Sequence, residues 1–269
     1  MTFSDDDLSH FAGHGTPPLP AGRTGLIENQ GARIWYADIG AGTPVILLHG
    51  GMGHAGNFSH QVPALVDAGY RAIVIDSRGH GRSTRDAQPY SYGLLASDAR
   101  AVMDNLGIAR AAFVGWSDGA ATALVLAHDT PERAAGVLFF ACNVDPSGTR
   151  PFEMTPVIDN CVTRHKLDYE ALSPTPDAFD TLGPDLQPMQ ADQPNYSAAD
   201  LAAIRVSVAV VQAENDEFIR REHAEYIARS IPGASFVLLP AVSHFAPLQR
   251  PSLFNAAMLD FLRAASSSA

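Results

Sequence analysis

The sequence predicts an α/β fold in which a mostly parallel, twisted sheet is covered by helices on both faces. Short apolar runs recur at residues 45–48, 72–75, 111–114, 136–141, 206–211 and 236–239. They lack the polar alternation of a half-exposed strand, so they read as strands buried on both faces. Between them, residues 91–106, 119–128, 220–229 and 251–263 place apolar side chains at helical spacing. Strands that alternate with helices need crossover connections, which set the strands parallel and lay the helices over the sheet.

At the start, residues 1–25 combine Asp5-Asp6-Asp7 with Thr16-Pro17-Pro18-Leu19-Pro20. Such a mixture offers no face to bury and predicts a flexible arm. Segments 28–30 and 33–38 suit an antiparallel hairpin, and the core is expected over 26–142 and 201–269. The intervening 143–200 is Pro-rich and weakly periodic, with short helical segments at 156–166 and 168–172. A strand-free stretch of that length after the sixth strand predicts a small helical cap over an active site.

Composition narrows the function. With 269 residues, 46% of them hydrophobic, the chain can bury a substantial core. A net charge of -11, from 29 acidic against 18 basic residues, argues against a nucleic-acid or anionic-membrane partner. It favours neutral or cationic small molecules. No apolar stretch is long enough to span a bilayer, and the first residues are acidic where a signal peptide is basic and then apolar. A soluble cytoplasmic protein is therefore expected. Cys142 and Cys161 lack C-x-x-C spacing and read as free thiols. Without HExxH, clustered cysteines or a phosphate-binding glycine fingerprint, neither a metal nor a cofactor is expected.

Gly115-Trp116-Ser117-Asp118-Gly119 follows the run at 111–114 and precedes an Ala-rich helix, which makes it a G-x-S-x-G nucleophile elbow. The serine sits on a sharp strand-to-helix turn, and flanking side chains would collide with neighbouring backbone. Unpaired N–H groups at the helix start point toward that turn, so the Asp118 N–H can help hold an oxyanion.

A serine hydroxyl is unreactive without a base, and the base needs a carboxylate to fix its tautomer. Ligands in parallel sheets collect at the carboxyl ends of the strands, so the partners should follow apolar runs. Asp216 follows 206–211 and His244 follows 236–239, in the order Ser, Asp, His that this elbow predicts. Glu214 and Asp145 are rival carboxylates, whereas His128 lies at the far end of the helix after the elbow. Upstream, His49-Gly50-Gly51-Met52-Gly53 follows the run at 45–48. Gly51 is the expected second oxyanion donor, with Met52 as the alternative. Met52, Asp118, Trp116 and Phe245 are expected substrate contacts, and Phe58, Phe140 and Phe152 are further aromatics for an apolar acyl pocket.

Together with the turn Asp76-Ser77-Arg78-Gly79-His80-Gly81-Arg82-Ser83, these segments resemble the α/β-hydrolase family over about residues 26–142 and 201–265. The resemblance implies the α/β-hydrolase fold, with the 76–83 turn held by Asp76 and Arg78 as a structural element. G-W-S-D-G is similar to the elbow of the biphenyl hydrolase-like enzymes, including the valacyclovir-type amino-acid ester hydrolases. That likeness implies that Asp118 meets a substrate ammonium. Asp in the first turn of a helix is also favoured by the helix dipole alone. Ala120 departs from the subgroup's usual pattern, in which a second glycine follows Gly119.

The expected activity is hydrolysis of a small carboxylic ester, α-amino-acid esters among them, through an acyl-enzyme. Lactone, thioester and amide hydrolysis, C–C cleavage of diketones and cofactor-free perhydrolysis use the same triad. A non-hydrolytic ligand-binding or lyase member of the fold is the reading of another class. Its usual signature, a lost triad residue, is absent.

Overall fold

In the computed structural model, which describes residues 6–267, the apolar runs become one eight-stranded sheet. The strands are β1 (Arg23–Asn29), β2 (Ala32–Gly40), β3 (Thr43–Leu48), β4 (Tyr70–Ile75), β5 (Ala111–Trp116), β6 (Ala134–Phe140), β7 (Ser207–Ala213) and β8 (Ser235–Leu239). Their order across the sheet is β1-β2-β4-β3-β5-β6-β7-β8. The pairs β1 with β2 and β2 with β4 are antiparallel, and every pair from β4 onward is parallel.

Successive strand residues point to opposite faces. Ile46, Leu48, Phe113, Val137 and Phe139 therefore join one core layer, with α3 (Tyr92–Asn105) and α4 (Asp118–Asp129). Val45, Leu47, Val114, Leu138 and Phe140 join the other, with α2 (Gln61–Asp67) and the C-terminal helix Pro251–Ser267. Because β3 lies beside β5, the loops at their carboxyl ends are neighbours. The loops after β6, β7 and β8 follow along the same edge.

Between β6 and β7 the chain leaves the sheet to form α5 (Pro156–Leu172), α6 (Phe179–Asp192) and α7 (Ala198–Ala203). Thr155 caps α5 by accepting the Ile158 N–H at 3.2 Å, and Pro156 takes the first helical position, where no N–H is needed. Helix α8 (Arg221–Ser230) follows β7; α9 (Ala246–Gln249) and then α10 (Pro251–Ser267) follow β8.

Of the flexible arm expected over 1–25, residues 1–5 lie outside the described residues, and the part from Asp6 onward is corrected. Asp6–His14 form α1, and Leu8 and Phe11 are only 2% and 3% exposed. Phe11 lies against His165 of α5, with ring centroids 5.5 Å apart. Two apolar residues three apart make one turn of a buried stripe, too little to show as a period among acidic residues and glycine. β1 also begins earlier than residue 26, at Arg23, and the Asp5 end of the acidic run lies outside the described residues. Among the described residues, no helix is long and apolar enough to cross a membrane.

Candidate active site

β5 ends at Trp116 and α4 starts at Asp118, which leaves Ser117 alone to make the turn. It does so at φ 53° and ψ −122°, a backbone state that costs a residue with a Cβ about 1–3 kcal/mol. A Cβ on Gly119 would lie on the Leu48 carbonyl, and one on Gly115 would lie on the Ala120 backbone. The turn is pinned by the Ser117 N–H, which donates to the Phe140 carbonyl at 2.9 Å, and by the Ser117 carbonyl, which accepts the Ala120 N–H at 2.7 Å.

His244 follows β8, and its Nδ1 lies 3.1 Å from both carboxyl oxygens of Asp216. Asp216 is buried, and its Oδ1 accepts the N–H groups of Phe218 at 2.9 Å and Ile219 at 2.8 Å. Backbone donors thus fix the carboxylate before it fixes the imidazole. Nε2 is left out of the Asp216 contact. The rivals are engaged elsewhere: Glu214 accepts the Ala241 N–H at 2.7 Å, and Asp145 caps the turn at Ser147. His128 lies against Tyr196, with ring centroids 4.8 Å apart.

Glu217 was not singled out from sequence, although it adjoins Asp216. Its Oε2 accepts the His244 main-chain N–H at 2.9 Å. Burial by itself pushes the His244 pKa down, but Asp216, with Glu217 and Asp118, outweighs it and leaves the pKa raised. Glu217→Gln keeps an oxygen for that N–H and removes a negative charge. The imidazolium is then less favoured and loses its proton at lower pH, so the acid limb of kcat/KM is expected to move to lower pH. A pH–rate profile that stays in place would remove Glu217 from any electrostatic role.

Ser117, Asp118 and His244 line one cavity of about 630 Å³, as do Gly51, Met52, Trp116 and Phe245. Phe152 reaches its mouth and stacks on Phe218, with ring centroids 6.0 Å apart. Phe58 and Phe140 do not line it and belong to the core instead, since their side chains fill the layer under the sheet.

The loop after β3 runs alongside the elbow: a Cβ on Gly50 would come within 3.1 Å of the Ser117 Cβ. His49 anchors that loop. Its Nε2 accepts the Ser77 N–H at 2.9 Å, so Nδ1 carries the proton and donates to the Gly50 carbonyl at 2.7 Å. Burial lowers the His49 pKa to about 3, which keeps the ring neutral. In the 76–83 turn, Asp76 accepts the Ala55 and Arg82 N–H groups at 2.7 and 2.8 Å. Arg78 is paired with Asp98 at 2.8 Å and Asp86 at 2.9 Å.

Asp118 is 6% exposed. Its Oδ1 accepts the Tyr92 hydroxyl at 2.8 Å and its Oδ2 accepts Gln190 Nε2 of α6 at 2.9 Å. Burial raises its pKa, and those two bonds oppose the rise. Among the described residues no lysine or arginine pairs with it; the one cation-forming neighbour is His244.

The root of the cap is tied to the loop that carries Asp216. Thr149 and Ile219 form an antiparallel bridge, the Arg150 N–H donates to the Phe218 carbonyl at 2.7 Å, and the Arg220 N–H donates to the Gly148 carbonyl at 2.9 Å. Arg150 Nη1 also donates to the Asp216 carbonyl at 3.1 Å.

A family model for the alpha/beta hydrolase fold matches residues 43–154. A 2-hydroxy-6-oxo-6-phenylhexa-2,4-dienoate hydrolase of Comamonas testosteroni is 29% identical over 261 residues, covering 86% of this chain and 91% of the relative. A meta-cleavage product hydrolase of Pseudomonas fluorescens superposes with a TM-score of 0.77 at 24% identity, over 90% of this chain and 98% of that one. Est816, described as an N-acyl homoserine lactone degrading enzyme, gives a TM-score of 0.69 at 28% identity, over 88% and 100%. Fold and site together define a hydrolase of the α/β class. The chain has the α/β-hydrolase fold, and the relatives and structures it is similar to are hydrolases of that fold.

Proposed function

We propose that the protein is a carboxylic ester hydrolase acting through an acyl-enzyme. His244, oriented by Asp216, takes the proton from Ser117 as its oxygen attacks the ester carbonyl. The Gly51 and Asp118 N–H groups hold the oxyanion. The imidazolium then gives its proton to the departing alkoxide, which leaves the acyl group on Ser117. The same imidazole deprotonates water, the water attacks the acyl-enzyme, and the acid departs as Ser117 regains its proton.

The carboxyl of Asp118 supports an ester of neutral or α-amino acids. A buried carboxylate without a cationic partner is unfavourable unless something completes it, and a substrate ammonium does so. A carboxylate beside the reacting carbonyl also repels an anionic substrate. The dienoate relative, by its name, acts on a substrate that carries a carboxylate. The resemblance to Est816 favours lactones as a second reading, since a lactone is a cyclic ester open to the same attack.

Comparing an α-amino ester with its deamino analogue tests this. Asp118→Asn is expected to lower the kcat/KM ratio of amino to deamino ester roughly tenfold to a hundredfold, the value of a hydrogen bond to a charged group. An unchanged ratio would leave Asp118 as a strut between α4 and the cap.

A further inference from the structure

Acyl transfer divides the cavity into two sides. The imidazolium of His244 must give its proton to the departing oxygen, so the alcohol part of an ester lies on the side of the base. The acyl part then lies toward the elbow, where Asp118 adjoins Ser117 and is bonded to Gln190 of the cap.

Two kinds of group stand on the base side. An aromatic surface runs outward from the imidazole: the Phe218 and His244 ring centroids are 4.7 Å apart, and Phe152 stacks on Phe218 at 6.0 Å. Both phenylalanines line the cavity, as does Met154. Phe152 is 59% exposed and Met154 55%. Large apolar side chains left in water at a cavity mouth gain from an apolar ligand that covers them.

The second group is Arg150, the one lysine or arginine among the described residues that line the cavity. Its main-chain N–H donates to the Phe218 carbonyl at 2.7 Å and its Nη1 to the Asp216 carbonyl at 3.1 Å, which holds the guanidinium beside the aromatic surface. The residue is exposed, so its remaining donors are within reach of a ligand. Among the described residues no carboxylate pairs with it, whereas Arg78, Arg82, Arg85 and Arg164 each pair with an aspartate. A guanidinium fork matches a carboxylate in bidentate geometry.

We propose that Arg150, Phe152 and Phe218 form a leaving-group subsite that takes an aromatic alcohol carrying a carboxylate. The inference deepens the ester-hydrolase reading and rests on it for what reacts, but not for what binds. Charge then changes sign across the cavity. Asp118 beside the nucleophile favours a neutral or cationic acyl part, and Arg150 beside the base favours an anionic alcohol part. The substrate class becomes an ester of a neutral or amino acid with a carboxyaryl alcohol.

The test uses 4-(acetoxymethyl)benzoate and its neutral counterpart 4-(acetoxymethyl)benzamide, which share the acetyl group and the aryl body. Binding to the Ser117→Ala protein is measured by calorimetry, and hydrolysis is measured with the parent. The carboxylate ester is expected to bind about tenfold or more tightly than the amide. In the Ser117→Ala background, Arg150→Gln is expected to remove that preference, and Phe152→Ala to weaken both esters about threefold or more. Raising the salt to about 1 M, where the screening length is about 3 Å, is expected to shrink the preference with Arg150 in place, which keeps the test valid if Arg150→Gln disturbs the fold. Equal binding of the two esters, a preference that survives Arg150→Gln or high salt, or unchanged affinities in Phe152→Ala overturns the subsite. With Ser117 present, Arg150→Gln is expected to cost the carboxylate ester more kcat/KM than the amide. An equal loss for both would make Arg150 a prop for the Asp216 loop and overturn its binding role. A carboxylate preference without hydrolysis of either ester by the parent sinks the esterase reading and leaves the subsite standing. Hydrolysis of both esters without a preference does the reverse.

Discussion

Ser117→Ala is expected to lower kcat for ester hydrolysis by about 10⁴-fold or more while the protein stays folded. In the proposed mechanism this hydroxyl forms the covalent intermediate, and losing a nucleophile of this kind removes most of the rate enhancement. The fold should tolerate the change: alanine keeps the Cβ, and the bonds that pin the turn, to Phe140 and from Ala120, are made by the backbone. Steady-state assays with a phenyl ester, paired with thermal unfolding, separate the two effects. An unchanged melting temperature with activity gone places the loss in chemistry. Activity within tenfold of the parent would exclude Ser117 as nucleophile.

Gly119→Ala should act on the fold instead. Its added methyl would meet the carbonyl groups of Leu48 and His49, the end of β3 and the start of the loop beside the elbow. Backbone cannot rotate away as a side chain does, so α4 and β3 must separate. A destabilisation of about 3 kcal/mol or more is expected, at the upper end for overpacking. Gly183→Ala is the control. It lies within α6, and nothing stands within 4 Å of an added Cβ. Alanine there should be neutral or stabilise by up to about 1 kcal/mol, because glycine is the poorer helix former. Urea midpoints measured on both variants decide the matter; similar midpoints would show that the elbow glycine is not held by packing.

The readable parts of this chain are those in which local chemistry has one solution. Buried parallel strands need unbroken apolar runs, and the elbow needs glycine on both sides of its serine, so both stand out. The order of β3 and β4 in the sheet does not, because crossovers leave no mark on the runs they connect. α5 extends unbroken through Lys166 and Asp168, where two shorter segments were expected, and its buried face is sparse: Ile158, Cys161, His165 and Tyr169. α6 was masked by Pro184 and Pro188, which ordinarily argue against a helix interior. At the site, Ser117, Asp216 and His244 could be picked out because each follows a strand. Glu217 could not, since its place depends on which loops come together in space. Asp118 was visible as a residue, but its bonds to Tyr92 and Gln190 were not.

The short ladder between residues 148–150 and 218–220 bears on how the cap can move. A lid hung from that side cannot swing there without pulling on the loop that holds Asp216, and through it on the imidazole. The door is mounted on the same post as the lock. The far side, toward α6, is held by side chains instead: Gln190 reaches across to Asp118, Gln193 accepts the Tyr92 N–H, and Arg85 pairs with Asp185. Widening the doorway by redesigning α6 leaves the base aligned, whereas grafting a foreign cap cut at Gly148 would loosen the alignment together with the hinge.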